Sequence, residues 1–264
     1  MKKYSVIGNP ISHSLSPKLQ NYWLKKNKID AVYDKIQLNE QEVKKFIENI
    51  KSQKIIGCNV TVPFKRTVIH YLDGLSQEAE QTQSVNTILF DNGNLVGHNT
   101  DITGFDKAIK CLNFNMKGKK VFILGAGGVV PSIIYSLKKF NVSQITISNR
   151  TIEKAKNLTS VFENLKIVEW GNLPDFDVII NATSLGLNDE NINLDFSNVG
   201  DKKLFYDVIY NPSETKFLEE GKKLGNLVEN GKLMFIYQAA EAFKIWHGVN
   251  PEINDEVLEL LEND

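Results

Sequence analysis

Residues 119–151 constrain the fold of this chain more than any other stretch. They begin with the apolar run 121–124, which is short and β-branched enough for a buried parallel strand. Gly125-Ala126-Gly127-Gly128 follow, then an apolar pattern of helical period and a second apolar run at 145–148. This order and spacing predict a β-α-β crossover, the unit from which parallel sheets covered by helices are built.

The glycines of this segment indicate a nucleotide site. At a turn between a strand and a helix they let the backbone approach a pyrophosphate, which the free amides of the helix N-terminus then stabilise. The pattern is incomplete, because Val130 stands where the dinucleotide fingerprint has its third glycine. A tight turn without a ligand is the alternative interpretation.

The residues after the second strand indicate which cofactor would bind. NAD-binding units usually place a carboxylate there, on the ribose 2′-hydroxyl, whereas this chain has Asn149-Arg150-Thr151. Arg150 offers a planar set of donors suited to phosphate, and Thr151 can cap the next helix. A solvated arginine is the alternative, but its position relative to the glycines favours NADP over NAD.

Composition and charge exclude several classes of function. The 264 residues carry a net charge of −1 without a basic face, which argues against nucleic acid. No apolar run approaches the length of a membrane span, and the one after Lys2-Lys3 ends too early for a signal peptide. Cys58 and Cys111 fit no metal or redox spacing, and neither do the histidines. We expect a cytoplasmic protein with no metal, nucleic-acid or membrane partner.

Strand and helix signals alternate along the first 111 residues and again after residue 160. Strands are predicted at 4–7, 31–38, 55–62, 166–169, 177–181 and 204–209, with a hairpin of 85–90 and 95–97 around Asn92-Gly93. Helices are predicted to begin at the Ser16 cap before Pro17, at the Asn39–Glu42 capping box and at Phe64-Lys65, and to span 103–111, 234–246 and 253–261.

These elements predict an α/β protein of two domains. The first is an N-terminal α/β substrate domain with a mostly parallel sheet, formed by residues 1–104 plus about 232–264. The second is a Rossmann-type NADP-binding domain of residues 105–231, and the C-terminal helices pack back on the first domain. Ligands of such sheets lie beyond the carboxyl ends of the strands.

Lys65 and Asp101 form a candidate proton-relay pair in the first domain. Lys65 follows a strand at the predicted start of a helix, where the helix dipole disfavours a cation unless a carboxylate holds it. Asp101 follows another strand of the same domain and is the natural partner. Such a pair beside a carbonyl can pass a proton to oxygen while hydride reaches carbon. The alternative is a surface lysine and a helix-capping aspartate.

Neutral polar residues are predicted at strand ends and loops that face one cleft. The group comprises Ser14, Ser16, Thr61, Asn86, Thr100 and Tyr210. They suit a small polyhydroxylated acid, because each ligand hydroxyl needs a partner once water is excluded. Each residue alone is a common turn or cap residue, so the prediction depends on the group.

Seven short motifs occur in a fixed order along the chain. They are GNPISHSLSP at 8–17, NVTVPFK at 59–65, VNT at 85–87, NTD at 99–101, GAGG at 125–128, NRT at 149–151 and QAA at 238–240. In order and spacing they resemble the signature blocks of the shikimate dehydrogenase family, and with WHG at 246–248 the similarity covers nearly the whole chain. The first three motifs are specific, whereas many nucleotide enzymes share the glycine turn.

The resemblance implies reversible NADP-dependent reduction of 3-dehydroshikimate to shikimate, a step of aromatic amino-acid and chorismate biosynthesis, by a monomer or homodimer. It implies that Lys65 and Asp101 are catalytic, with Lys65 exchanging the proton at the C3 oxygen. Substrate contacts are implied for Ser14 and Ser16 on the carboxylate, and for Thr61, Lys65, Asn86, Asp101, Tyr210 and Gln238 on the ring. Cofactor contacts are implied for Gly125, Ala126, Gly127, Gly128, Val129, Asn149, Arg150, Thr151, Lys154, Val208 and Gly231, with Thr183 near the nicotinamide.

Three positions depart from the family pattern. Ile102 stands where the family usually has glycine, and Leu233 where glycine or aspartate is common. Pro131 replaces a residue that is often arginine. Two alternatives remain beside the leading interpretation. A quinate/shikimate dehydrogenase preferring NAD would be favoured by an acidic residue after Ser148, and a silent NADP(H)-binding regulator by loss of the lysine or aspartate; neither change is found.

Replacing Arg150 with aspartate tests the cofactor prediction. The carboxylate would repel a 2′-phosphate and accept a hydrogen bond from the ribose of NAD. We therefore expect the ratio of kcat/KM for NADP over NAD to fall by roughly 10- to 100-fold. Steady-state rates with each cofactor measure this ratio. An unchanged ratio would assign the phosphate to Asn149, Thr151 or Lys154 instead.

Overall fold

The computed structural model describes residues 1–188 and 190–262. The chain divides into a discontinuous unit, Met1–Gly104 with Ile236–Asp264, and a continuous unit, Phe105–Phe235. Residues 263–264 lie outside the described part. The boundary predicted at about residue 232 coincides with the start of the helix Lys232–His247, whereas the units divide within that helix.

The discontinuous unit is built on a mixed sheet. Its described strands, in sheet order, are β2 (Ala31–Gln37), β1 (Lys2–Gly8), β3 (Gly57–Val60), β5 (Thr87–Asp91), β6 (Asn94–His98) and β4 (Gly74–Leu75). β1 pairs in parallel with β2 and β3, and β4 with β6, whereas β5 is antiparallel to both β3 and β6. The predicted hairpin around Asn92-Gly93 is confirmed.

The strand directions bring four polar or charged residues to one edge of this sheet. Because β1, β3 and β6 run the same way, their carboxyl ends share an edge, and the reversed β5 begins there. Ser14 follows β1, Thr61 follows β3, Asn86 precedes β5 and Asp101 follows β6.

Helices cover this sheet. They are α1 (Ser16–Lys26), α2 (Glu40–Lys51), α3 (Gln77–Thr82), α8 (Lys232–His247) and α9 (Asp255–Leu260), with α4 (Asp101–Cys111) leading into the other unit. The predicted capping box is confirmed, because the Glu42 carboxylate accepts the Asn39 amide at 2.7 Å. The C-terminal helices pack back as predicted: the Trp246 indole donates to the Ile88 carbonyl at 3.1 Å, and the Gln20 side chain donates to the Ala239 carbonyl at 3.0 Å.

Two local predictions in this unit are wrong. Ser16 is the first residue of α1 rather than its cap, and the hydroxyl of Ser14 accepts the Ser16 amide at 3.3 Å. No α-helix begins at Phe64-Lys65. Residues 62–66 form a turn, in which the Phe64 amide bonds the Thr61 carbonyl at 2.9 Å, and a 3₁₀ helix follows at Thr67–Tyr71.

The continuous unit contains a parallel sheet. Its described strands, in sheet order, are β12 (Leu227–Glu229), β11 (Leu204–Asp207), β10 (Val178–Asn181), β7 (Lys120–Leu124), β8 (Gln144–Ser148) and β9 (Leu165–Val168). Its helices include α5 (Val130–Lys139), α6 (Ile152–Leu158) and α7 (Lys216–Lys223), of which α7 was not predicted. The order reverses between β7 and β10, as in Rossmann-type domains, where ligands bind at the reversal. The predicted fold class is confirmed.

The described residues include neither a membrane-spanning helix nor a cluster of metal-ligating side chains. No helix in 1–188 or 190–262 combines the length and apolarity needed to cross a membrane. Within the same ranges, no three His, Cys, Asp or Glu side chains are grouped as metal ligands would be.

His247 gives the discontinuous unit a predictable sensitivity to acid. Its ring lies 4.9 Å from that of Tyr4 and 4.4 Å from that of Phe243. Burial, with a smaller contribution from Lys2, lowers its pKa to about 4, against about 6.5 in an unfolded chain. Between these values the unfolded chain binds more protons. The free energy of unfolding is therefore highest, as far as His247 is concerned, above about pH 6.5, and it decreases as the pH falls from there toward about 4.

Replacing His247 with phenylalanine should reduce this acid sensitivity. We expect the variant to lose less unfolding free energy than the wild type between about pH 7 and pH 4.5, by on the order of 1 kcal/mol after allowance for partial exposure. Urea titrations across this range measure the difference. His70→Phe, at an exposed position, is the control, and equal pH slopes for wild type and H247F would contradict the assignment.

Candidate active site

A buried ion pair lies at the carboxyl edge of the mixed sheet. Lys65 Nζ donates to Asp101 Oδ2 at 2.5 Å, and the two side chains are only 10% and 8% exposed. Lys65 lies in the turn after β3, and Asp101 opens α4, where the helix dipole favours a carboxylate. Since both charges have lost most of their water, the pair depends on further hydrogen bonds.

Asn86 supplies hydrogen bonds to the carboxylate. Its Nδ2 donates to Asp101 Oδ1 at 2.8 Å and to Thr100 Oγ1 at 2.9 Å, and its Oδ1 accepts the Thr100 amide at 2.8 Å. The two oxygens of Asp101 are therefore held by different groups, one by Lys65 and one by Asn86. Gln238 Oε1 lies 3.5 Å from the same Asn86 nitrogen. The structure brings these predicted site residues together.

Three residues that sequence analysis did not select extend this network. Asn59 Nδ2 donates to the Asn86 carbonyl and to Thr87 Oγ1, both at 3.0 Å. The Tyr33 hydroxyl donates to Asn59 Oδ1 at 2.6 Å. Burial raises the pKa of Tyr33 well above its ordinary value. A chain of hydrogen bonds thus runs from Tyr33 through Asn59 and Asn86 to Asp101.

One signal in the sequence could have identified Asn59. It lies within the motif at 59–65 and inside β3, a strand whose four residues are all buried. A buried asparagine needs partners for both its oxygen and its nitrogen, so its presence there indicates a polar network. The contributions of Tyr33 and Thr87 depend on strand pairing, which the sequence does not state.

The remaining predicted substrate residues have different surroundings. Ser14 and Thr61 are half-buried in loops of the discontinuous unit. The Ser14 loop is anchored at its start, where the Asn9 amide donates to the Val62 carbonyl at 3.0 Å. Tyr210 belongs to the continuous unit, and its ring stacks on Phe235 at 4.5 Å.

The glycine turn between β7 and α5 fits an anionic ligand. Gly125 has a φ of +111°, and a Cβ there would lie 2.7 Å from the Ala182 carbonyl oxygen, so only glycine is tolerated. The amides of Ala126 and Gly127 donate to no residue among those described. Open amides before a helix are suited to a pyrophosphate. Gly128 and Val129 complete the turn.

The residues after β8 present cations to solvent. Arg150 and Lys154 are exposed, and neither side chain forms a hydrogen bond or ion pair with a described residue. Asn149 Nδ2 donates to the Thr151 carbonyl at 2.7 Å, which shapes the turn. Thr151 occupies the N-cap position of α6, but its hydroxyl makes no capping bond. This donor set, with no carboxylate at 149–151, fits the 2′-phosphate of NADP.

The other predicted cofactor residues follow strands of the same unit. Thr183 comes after β10, and its Oγ1 donates to Asn181 Oδ1 at 2.7 Å. Val208 comes directly after β11, and its carbonyl lies so close to Gly231 that a Cβ there would overlap it. The continuous unit therefore brings the predicted cofactor residues to the ends of its strands or to adjacent loops, except Lys154, which lies in α6.

Models of three domain families match the chain. The shikimate dehydrogenase substrate binding domain matches residues 6–88, and the shikimate / quinate 5-dehydrogenase model matches residues 106–193. The shikimate 5′-dehydrogenase C-terminal domain matches residues 233–254.

Individual proteins are similar over almost their whole length. Shikimate dehydrogenase (NADP(+)) of Pelagibacter ubique is 53% identical over 262 residues, which are 99% of each chain. The crystal structure of shikimate dehydrogenase from Aquifex aeolicus is 38% identical, with a TM-score of 0.90 over 100% of this chain and 98% of that one. The structure of shikimate 5-dehydrogenase from Thermus thermophilus, in complex with NADP(H) and shikimate, is 30% identical, with a TM-score of 0.89 over 98% of each.

Replacing Tyr33 with phenylalanine tests the network beneath the ion pair. The variant leaves Asn59 Oδ1 buried without its donor, so we expect the free energy of unfolding to fall by about 1–3 kcal/mol. Tyr206→Phe is a matched control, because Tyr206 is also fully buried and its hydroxyl has no partner among the described residues. Urea unfolding measures both variants. Equal losses would show that the Tyr33 hydroxyl contributes nothing specific.

Proposed function

This chain belongs to the shikimate dehydrogenase family, and we propose on that basis how its residues carry out the reaction. The enzyme is an NADP-dependent oxidoreductase that reversibly reduces 3-dehydroshikimate to shikimate, in aromatic amino-acid biosynthesis. The buried Lys65–Asp101 pair carries the proposal, because a reaction that converts a carbonyl to an alcohol needs a proton at oxygen.

Lys65 and Asp101 exchange that proton in the proposed mechanism. NADPH, when bound, supplies the hydride that reaches the carbonyl carbon. The Lys65 ammonium gives a proton to the C3 oxygen as negative charge develops there, and in the reverse direction the amine takes it back. Asp101 orients Lys65 through Oδ2, while Asn86 holds Oδ1.

The hydroxyl and amide groups of the site recognise the substrate. We assign the substrate carboxylate to Ser14 and Ser16, whose hydroxyls donate to an anion without adding a charge. The ring hydroxyls are assigned to Thr61, Lys65, Asn86, Asp101, Tyr210 and Gln238. The location of Asn86 between Gln238 and Asp101 supports this assignment, because its neighbours offer both acceptors and donors.

The continuous unit is assigned to the cofactor. The pyrophosphate is assigned to the turn of Gly125, Ala126, Gly127, Gly128 and Val129, and the 2′-phosphate to Asn149, Arg150, Thr151 and Lys154. Thr183, Val208 and Gly231 are assigned to the nicotinamide half. The open amides of the turn and the exposed cations after β8 support these assignments.

Three further assignments accompany this function. The discontinuous unit is the substrate domain, the enzyme works in the cytoplasm, and it is a monomer or a homodimer. Light scattering of the purified protein decides between the two oligomeric states, and fractionation of cells decides the compartment.

Absorbance of the reduced nicotinamide tests the reaction, the substrate and the cofactor together. Purified protein is mixed with shikimate and either NADP or NAD, and the rate of reduction is recorded. Rapid reduction of NADP alone is expected. Better reduction of NAD, with quinate also accepted, would move the protein to the quinate/shikimate dehydrogenases. Binding of NADP without any reduction would identify a silent regulator.

Replacing Lys65 with alanine should separate catalysis from binding. The proton donor is lost while the other substrate contacts remain, so we expect kcat to fall by about 10²- to 10⁴-fold and KM to change much less. Steady-state kinetics measure both, and circular dichroism checks the fold. Lys54→Ala, at an exposed position, is the control. A large rise in KM with kcat preserved would contradict the role of Lys65.

A further inference from the structure

Asp207, at the end of β11, is a buried carboxylate outside all the sites assigned above. Its Oδ1 accepts hydrogen bonds from Asn181 Nδ2 and the Ile209 amide, both at 3.0 Å, and its Oδ2 accepts from Thr215 Oγ1 at 2.7 Å. No cation of the described residues pairs with it, and burial raises its pKa to about 6. A carboxylate without a counter-ion is costly to bury, so a local function is expected.

The bond to Thr215 closes a loop. Thr215 caps α7, since its hydroxyl oxygen accepts the Leu218 amide at 3.4 Å while its proton goes to Asp207. Asp207 and Thr215 thereby join the two ends of residues 208–214. This loop contains Val208, assigned above to the nicotinamide half of the cofactor.

The bond to Asn181 connects a second loop. Asn181 ends β10, directly opposite Asp207 in the parallel pairing. Its Oδ1 accepts the amide and the hydroxyl of Thr183 at 3.1 and 2.7 Å, and its Nδ2 also donates to the Leu185 carbonyl at 3.0 Å. Asp207 therefore reaches Thr183 through one intermediate side chain.

We propose that Asp207 is a positioning residue for the reactive half of the cofactor: it fixes the loops 182–185 and 208–214, and with them Thr183 and Val208. This inference rests on the proposed function. It also explains why the residue is an aspartate. Asn181, Ile209 and Thr215 all present donors, and only a carboxylate accepts from all of them without presenting a donor in return.

The proposal predicts that a change at Asp207 affects the two halves of NADP differently. Asp207 is bonded to the last residue of β10 and to residues that follow β11, whereas the cations assigned to the 2′-phosphate follow β8. A change at Asp207 should therefore weaken contacts to the nicotinamide half and leave those to the adenosine 2′-phosphate half intact. A merely structural role would affect both halves together.

Binding of two probes to Asp207→Asn tests this separation. We expect the Kd for NADPH, measured by nicotinamide fluorescence, to rise about tenfold, because an amide donor now faces Thr215. The Kd for 2′,5′-ADP, measured by calorimetry, should stay within about twofold. The control is Asp177→Asn: this carboxylate precedes β10, accepts the Lys120 amide at 2.8 Å, and should affect neither probe.

Each other outcome has a definite meaning. Equal weakening of both probes, or no change in either, would overturn the positioning role. If Asp207→Asn does not fold, Thr215→Val and Thr215→Ser decide. The valine variant should show the selective loss of NADPH affinity, the serine variant should retain wild-type affinity, and any other pattern overturns the proposal. Failure of the wild type to bind NADPH would instead refute the proposed function, on which this inference rests.

Discussion

Two opposite charges taken out of water stay charged only if their remaining protons and lone pairs find partners, and the discontinuous unit is arranged around this requirement. Lys65 occupies one oxygen of Asp101, so a second donor must occupy the other, and Asn86 does so. Asn86 is in turn held by Thr100 and Asn59. The network fixes the direction of the lysine, on which proton transfer depends.

The mixed topology of the sheet makes that arrangement possible. A purely parallel sheet would bring only strand ends to the active edge. Because β5 runs in the opposite direction, its first residue lies at the same edge. Asn86, which directly precedes β5, therefore contributes to the site. The continuous unit uses the other solution: all its described strands are parallel, and its site is formed by loops that follow them. One buried carboxylate of this unit, Asp207, is held by neutral donors alone.

Local sequence signals were sufficient for much of the fold. Apolar runs and the glycine turn predicted the Rossmann-type unit, and Asn92-Gly93 predicted the hairpin, because these patterns have few alternative structures. Lys65 and Asp101 were selected for their positions after strands. The errors at Ser16 and Phe64-Lys65 have different causes. The helix at Ser16 begins one residue earlier than its capping pattern indicates, which is within the usual uncertainty of a helix end. At Phe64-Lys65, a proline before apolar residues is compatible with both a helix start and a turn. The parts played by Tyr33, Thr87 and Asp207 could not be predicted, since their partners are distant in sequence and are set by strand register.

The discontinuity of the first unit has a consequence for synthesis. Trp23 lies 5.8 Å from Phe243, and Ile88 accepts a hydrogen bond from Trp246, so this core is complete only when the last segment has been made. The continuous unit ends at Phe235. The continuous unit can therefore fold first on the ribosome. Until the C-terminal segment has been synthesised, apolar surface of residues 1–104 stays exposed. The entropic cost of bringing the two distant segments together grows only with the logarithm of the length of the inserted unit. The discontinuity therefore lowers the free energy of unfolding only slightly. The disadvantage of this arrangement is kinetic. During synthesis the exposed apolar surface of the nascent chain can aggregate or bind chaperones.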